Sequence, residues 1–184
     1  MRVSYIGELG FELHMPMASL RQIYDLLLYH GSEFGITDFG SYALNAMRIE
    51  KGYHGWGSEI GPEYSMADAG LVHFIARIKA GFIGHDAVLK QLDEPPALRY
   101  VGLRVDCEDA EPLPGSPIVV SGDVVGYVTS ASAAHRVGGC MALGYLNAPV
   151  EGASPFELAV LGEFFPARLC NLPIYDPDNA KMRG

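Results

Sequence analysis

Two consecutive prolines in mid-chain constrain this sequence more than any other feature. Pro95-Pro96, directly behind the acidic pair Asp93-Glu94, supply no backbone N–H and fix φ, so neither a helix nor a central strand runs through them. The hydrophobic pattern differs in kind on the two sides. Upstream, Leu20, Ile23, Tyr24 and Leu27 recur at helical spacing behind Pro16, with Ser19 and Gln22 resembling a capping box and Gly31 as the stop. A second helix is predicted over 38–50, capped by Thr37 or Asp38, with Ala43, Leu44 and Met47 as its buried stripe and Arg48, Lys51 and Gly52 at its C-terminal end. A third is predicted over 85–92. Downstream, short apolar runs at 99–105, 117–120, 124–130, 140–146, 156–160 and 164–170 are separated by turn residues, with Gly122-Asp123 as a hairpin turn. Strands that short and that closely spaced predict a small barrel or sandwich. The polar residues 176–184 read as a flexible tail.

The chain opens abruptly. Residues 3–6 read as a strand, 7–10 as a turn and 11–15 as a second strand. Period-2 alternation then turns Leu9, Phe11 and Leu13 inward and leaves Glu8, Gly10, Glu12 and His14 on the other face. Two carboxylates flank a glycine there, and a strand glycine marks a place where something approaches the backbone closely. A simply solvated face accounts for the same pattern.

The length of 184 residues allows one domain or two small ones, and 49% hydrophobic with 19% charged residues is the profile of a chain that buries a core. Acidic residues outnumber basic ones to give a formal net charge of -9, so no global field attracts a phosphate backbone and nucleic acid is excluded as a partner. No apolar stretch reaches the length of a membrane helix, and the start lacks a signal-peptide layout. Cys107, Cys140 and Cys170 are odd in number and unpaired in spacing, which predicts neither a disulfide framework nor a metal site. The expected location is the cytoplasm, or an organelle matrix after removal of a transit peptide.

No phosphate-binding loop, zincin helix, dinucleotide fingerprint or hydrolase elbow is present in the sequence, and the histidines are scattered. His135, beside Arg136, reads as solvated. The remaining constellation joins Tyr5, Glu8, Glu12 and their glycines to Met47-Arg48-Ile49-Glu50-Lys51-Gly52-Tyr53 and to Trp56-Gly57, the loop with the only tryptophan. A carboxylate backed by aromatic rings suits a flat heterocycle with two adjacent N–H donors, such as a pterin. Arg48, Lys51, Arg77 and Lys79 are candidates for local charge toward an anionic tail. The alternative is a core role for Trp56 and a satisfied helix-end carboxylate for Glu50.

Tyr5-Ile6-Gly7-Glu8-Leu9-Gly10-Phe11-Glu12 resembles the Y-x-G-E-x-G-F/Y-E signature of the aminomethyltransferase family, the glycine cleavage T-proteins. Residues 47–57 are similar to the L-R-L-E-K-G-Y-x-x-W-G of the folate-binding C-terminal regions of dimethylglycine and sarcosine dehydrogenases. Ala67-x-Ala69-Gly70-Leu71, Phe82-Ile83-Gly84-His85-x-Ala87-Val88 and Gly126-Tyr127-Val128-Thr129-Ser130 follow in family order, so the resemblance covers nearly the whole chain. It implies a fold of class α+β followed by all-β: a partial T-protein-like folate-binding α+β domain over 1–94, a six-stranded C-terminal β-barrel over 97–175, and the tail 176–184.

The function the resemblance implies is tetrahydrofolate-dependent transfer of a one-carbon unit, with FAD involved only where an upstream flavin domain exists. By motif position Glu12 is the carboxylate that holds the pterin, with Tyr5 and Trp56 as further candidates for the same site. No metal is implied. The arginine that T-proteins place four residues before Arg48 is Leu44 here, as in the dehydrogenase-like members. The family's catalytic aspartate belongs to an N-terminal half that this sequence does not contain, so no catalytic residue is assigned. The chain is expected to act with that half or with a flavin domain, in cis or in trans. The alternative is a non-catalytic folate-binding or interaction module that lost the catalytic half and pairs as a homodimer through apolar surface.

Overall fold

A computed structural model describes residues 1–79, 81–147 and 155–184. Past Pro95-Pro96 it contains β1 (Leu98–Val105), β2 (Pro117–Val120), β3 (Asp123–Ala133), β4 (Cys140–Asn147), β5 (Phe156–Val160) and β6 (Glu163–Cys170). All six pair antiparallel and close into a barrel in the order β1-β4-β3-β2-β5-β6. Of the two architectures that short strands allow, closure leaves no edge strand unpaired. The expected runs fall on these strands, with β3 longer at both ends than its apolar run.

Strand β4 explains how the barrel carries the rest of the chain. Its sequence, Cys-Met-Ala-Leu-Gly-Tyr-Leu, is apolar without alternation, and the strand is buried along seven of its eight positions. Cys140, Ala142 and Leu146 face the barrel interior with Leu103, Ile118, Val128, Phe156 and Leu158. Met141 and Leu143 face outward and pack with Ile49 and Ala134. Each fully buried Leu or Ile is worth about 1.5 to 3 kcal/mol of transfer energy, so the outer cluster attaches the helical part by the same physics that fills the barrel.

The helical part contains α1 (Met17–Gly31), α2 (Ser41–Glu50) and α3 (His85–Asp93). Gly40 caps α2 in place of Thr37 or Asp38, and Pro16 precedes α1 without a side-chain cap from Ser19. Of the stripe expected on α2, the buried positions are instead Ala46, Arg48, Ile49 and Glu50, because the helix presents its C-terminal half to β3 and β4. Its last carbonyls are each satisfied: Met47 by Arg136, Arg48 by the amide of Tyr53, Ile49 by that of Gly52 and Glu50 by that of Tyr175.

The opening segment is not a pair of strands. Residues 5–9 form bends, and one reciprocal backbone exchange joins Met1 and Glu12, at 2.7 and 2.9 Å. Gly7 adopts φ 75° within the expected turn, but among the described residues no ladder extends beyond the Met1–Glu12 exchange. Leu9, Phe11 and Leu13 are exposed rather than turned inward.

Residues 176–184, expected to be a flexible tail, are held at several points. Lys51 Nζ donates to the Asp176 carbonyl at 2.6 Å and pairs with its carboxylate at 3.3 Å. The Tyr53 hydroxyl lies 3.1 Å from Met182 Sδ, and Arg2 donates to the carbonyl of Arg183 at 2.6 Å. A short helix, α4 (Ala180–Arg183), ends the chain.

Candidate functional site

The loop after α2 carries the aromatic side of the site. Gly52, at φ 68°, ends the helix in the left-handed conformation. The loop then closes on itself through the amide of Gly57 and the carbonyl of Ile60, at 2.8 Å. This leaves Trp56 81% exposed, so its indole face is open for stacking and it is not a core aromatic. Tyr5 belongs to the same surface. Its ring stacks near that of Tyr53, with centroids 6.2 Å apart and planes 17° from parallel, and its hydroxyl donates to the His54 carbonyl at 2.7 Å. Burial pushes the Tyr5 phenol above its ordinary range. The structure therefore joins Tyr5 to the loop of Trp56.

Glu12 stands apart from both, among the described contacts. Its backbone pairs with Met1, and its exposed carboxylate meets only His14 Nε2, at 3.1 Å. Gly10 is approached closely, but by the chain itself: a Cβ there would lie 3.3 Å from the Val3 carbonyl and 3.4 Å from the Ser4 Cβ. That approach folds residues 1–12 back on themselves.

The other acidic residues of the constellation, Glu8 and Glu50, are committed, and so is Glu59 of the loop after Trp56. Glu59 is fully buried, paired to Arg48 at 2.8 Å and bonded by Ser130 at 2.6 Å. Glu50, 1% exposed, pairs with Arg136, in keeping with a satisfied helix-end carboxylate. Glu8 pairs with the same guanidinium at 2.8 Å. Arg48 and Lys51, expected to supply charge toward an anionic ligand, are 5% and 2% exposed and used internally. Burying an ion demands a partner within the protein, and having one removes it from ligand binding. Arg77 and Lys79 remain exposed.

A bulge in β3 builds the Glu59 site. Strict alternation would put Ser130 on the same face as Val128, inside the barrel. The register instead shifts between these residues, so Val128 faces in while Ser130 faces out toward α2. There its hydroxyl accepts from Arg48 Nη2 and donates to Glu59, both at 2.6 Å. Sequence reasoning missed this triangle and the role of Arg136, because Ser130 lies 71 and 82 positions from its two partners and Arg136 lies 86 or more from its own, and such separations leave no periodic signal.

A cavity of about 580 Å³ lies beside the aromatic loop, between Tyr53-His54, Leu71, Tyr100 and Leu172. His54 stacks on Tyr100 with centroids 4.2 Å apart, and its Nε2 lies 2.9 Å from the Ala69 carbonyl. Burial pushes this imidazole below its ordinary range, against the hydrogen bond to Ala69. Among the described residues no three metal-ligating side chains converge, and no helix is long and apolar enough to cross a membrane.

Comparison with known proteins bears on this geometry. Residues 1–79 match a family model for the GCVT N-terminal domain, and residues 99–176 match the glycine cleavage T-protein C-terminal barrel domain. The chain is 35% identical to a mitochondrial dimethylglycine dehydrogenase of Mus musculus, over 99% of this chain and 21% of that protein. It is 33% identical to an aminomethyltransferase of Moorella thermoacetica, over 95% of this chain and 48% of that one. The crystal structure of glycine cleavage system aminomethyltransferase T from Bartonella henselae superposes with a TM-score of 0.85 at 27% identity, covering 96% of this chain and 49% of that chain. The chain thus spans about half the length of the aminomethyltransferases and about a fifth of the dehydrogenase.

Proposed function

The chain belongs to the aminomethyltransferase family, the glycine cleavage T-proteins, which serve one-carbon transfer, and from that premise we propose that it forms the Tyr5, Glu12 and Trp56 wall of a tetrahydrofolate site. One observation carries the choice of residue. Glu8, Glu50 and Glu59 are all spent on arginines, whereas Glu12 keeps an exposed carboxylate whose one side-chain partner is a histidine. A carboxylate in that state accepts two parallel N–H bonds from a pterin, while the open face of Trp56 and the ring of Tyr5 offer stacking surface. Tetrahydrofolate supplies the nitrogens that take up the one-carbon unit; these residues bind and orient it. The proton-handling aspartate implied by the family lies outside the matched half. The chain's contribution is accordingly recognition, completed by an aminomethyltransferase half or, in a dehydrogenase arrangement, by a domain that holds FAD.

Titration calorimetry of this chain with tetrahydrofolate tests the reading. Glu12→Gln, which keeps shape but loses the charge and one acceptor, is expected to weaken binding at least tenfold; unchanged affinity rejects the site.

A second reading, a folate-binding or interaction module without catalysis, draws on a different observation. Helix α1 buries none of its residues and exposes Leu20, Tyr24 and Leu27. For an enzyme that face meets the companion half, and for a module it meets a second copy. The mass of the purified chain by size exclusion, as monomer or dimer, separates the two.

A further inference from the structure

The opening segment presents a physical problem. It carries Tyr5 and Glu12, yet it has no strand ladder, and Gly7 sits in a left-handed conformation pressed against the Lys51 side chain. Something outside the segment must hold it. Tyr5 is held by the His54 carbonyl and Arg2 by the chain's end, and between them the turn at Ile6 and Glu8 is held by one side chain of the β3–β4 loop, from the opposite domain.

Arg136 Nη1 donates to the Ile6 carbonyl and to Glu8 Oε1, each at 2.8 Å. Nη2 donates to the Met47 carbonyl at 2.6 Å, and Nε donates to Glu50, whose other oxygen accepts the Arg136 amide at 2.7 Å. The guanidinium plane also covers the Tyr175 ring at 3.8 Å. Four donors therefore tie the opening segment and the end of α2 to the barrel. A planar fork with donors at fixed angles suits this task, and an ammonium does not reproduce it.

We propose that Arg136 is a positioning residue for the pterin wall: by gripping Ile6 and Glu8 it fixes Tyr5 on one side and the turn leading to Glu12 on the other. This inference rests on the folate reading for its functional consequence, but not for its structural one. Glu50 sets the grip. Its buried carboxylate holds the guanidinium from behind, so the two remaining donors of Nη1 point at the opening segment. A barrel-domain loop thereby determines the affinity of a site lined by the other domain.

Two variants test it. Glu8→Gln removes the charge gripped in the opening segment and leaves the Arg136–Glu50 pair intact, so the fold is retained. Arg136→Lys keeps a cation beside Glu50 but loses the fork. Three readouts are taken on this chain: amide hydrogen exchange of residues 5–12, the thermal midpoint, and the tetrahydrofolate dissociation constant. The expected result is exchange over 5–12 faster by about tenfold in both variants, a dissociation constant raised by about tenfold, and a Glu8→Gln midpoint close to that of the parent chain.

Unchanged exchange in both variants overturns the proposal. Faster exchange with unaltered affinity, while Glu12→Gln still weakens binding, also overturns it, because the grip is then only structural. Faster exchange together with a Glu12→Gln variant that binds as the parent does leaves the grip standing and removes the folate reading instead.

Discussion

Arg48 Nη1 lies 2.8 Å from Glu59 Oε2, with both side chains nearly or fully removed from solvent, and the Ser130 hydroxyl of β3 bridges them. This triangle joins α2, the loop after it and the barrel. Breaking one side of a buried pair leaves an uncompensated charge, which costs about 3 to 5 kcal/mol. Arg48→Met is therefore expected to lower the unfolding free energy by that amount in denaturant titrations. Arg48→Met combined with Glu59→Leu is expected to recover much of it, because both desolvation penalties disappear together.

Ser130→Ala tests the third corner. The substitution removes a hydroxyl that both accepts from Arg48 and donates to Glu59, at a cost of about 1 to 3 kcal/mol. The loss is expected to vanish in the Arg48→Met, Glu59→Leu background, a coupling that a double-mutant cycle measures.

Gly126 marks a point where two barrel strands touch. A Cβ there would collide with the Tyr145 carbonyl oxygen and lie 3.0 Å from Leu146 Cα, both backbone atoms with no freedom to move aside. Gly126→Ala is expected to destabilise the barrel by about 3 kcal/mol, read as a lower thermal midpoint.

His54 sets a pH dependence. Burial holds its imidazole below the ordinary value, so the folded protein favours the neutral ring while the unfolded chain binds the proton more readily. This contribution to stability is complete above the unfolded pKa, about 6.5, and is lost as pH falls through it toward the lower folded value. His54→Gln is expected to flatten the decline in thermal midpoint on going from pH 7 to pH 5. An NMR titration of the His54 ring protons is expected to give a midpoint below the ordinary imidazole value of about 6.5.

The barrel was legible because its information is local. Each strand is an apolar run closed by turn residues, and Pro95-Pro96 mark where helical spacing ends. Even β4, buried on both faces, announced itself as an apolar run, although nothing in it said which helix it would meet. The opening segment misled for the opposite reason. Alternation of Leu9, Phe11 and Leu13 has the period of a strand, but a strand needs a partner ladder, and among the described residues the backbone pairing of this segment is confined to the exchange between Met1 and Glu12. The site was legible in part: Tyr5 and the Trp56 loop do come together through His54, while the commitment of Arg48, Lys51 and Glu50 to buried partners depended on long-range packing. Arg136 stood out in the sequence only as the neighbour of a solvated histidine, because its partners, Ile6, Glu8, Met47 and Glu50, lie far from it along the chain.

Trp56 provides a built-in probe of the central claim, since it is the only tryptophan and its ring is open to solvent on the loop that Tyr5 joins through His54. Tetrahydrofolate is titrated into this chain while Trp56 fluorescence is followed, with free tryptophan amide as the control for light absorbed by the ligand. A saturable quench that Glu12→Gln shifts to at least tenfold higher ligand concentration is the predicted result. A quench no greater than that of the control, or one identical in the parent chain and Glu12→Gln, would contradict the assignment of this wall to folate.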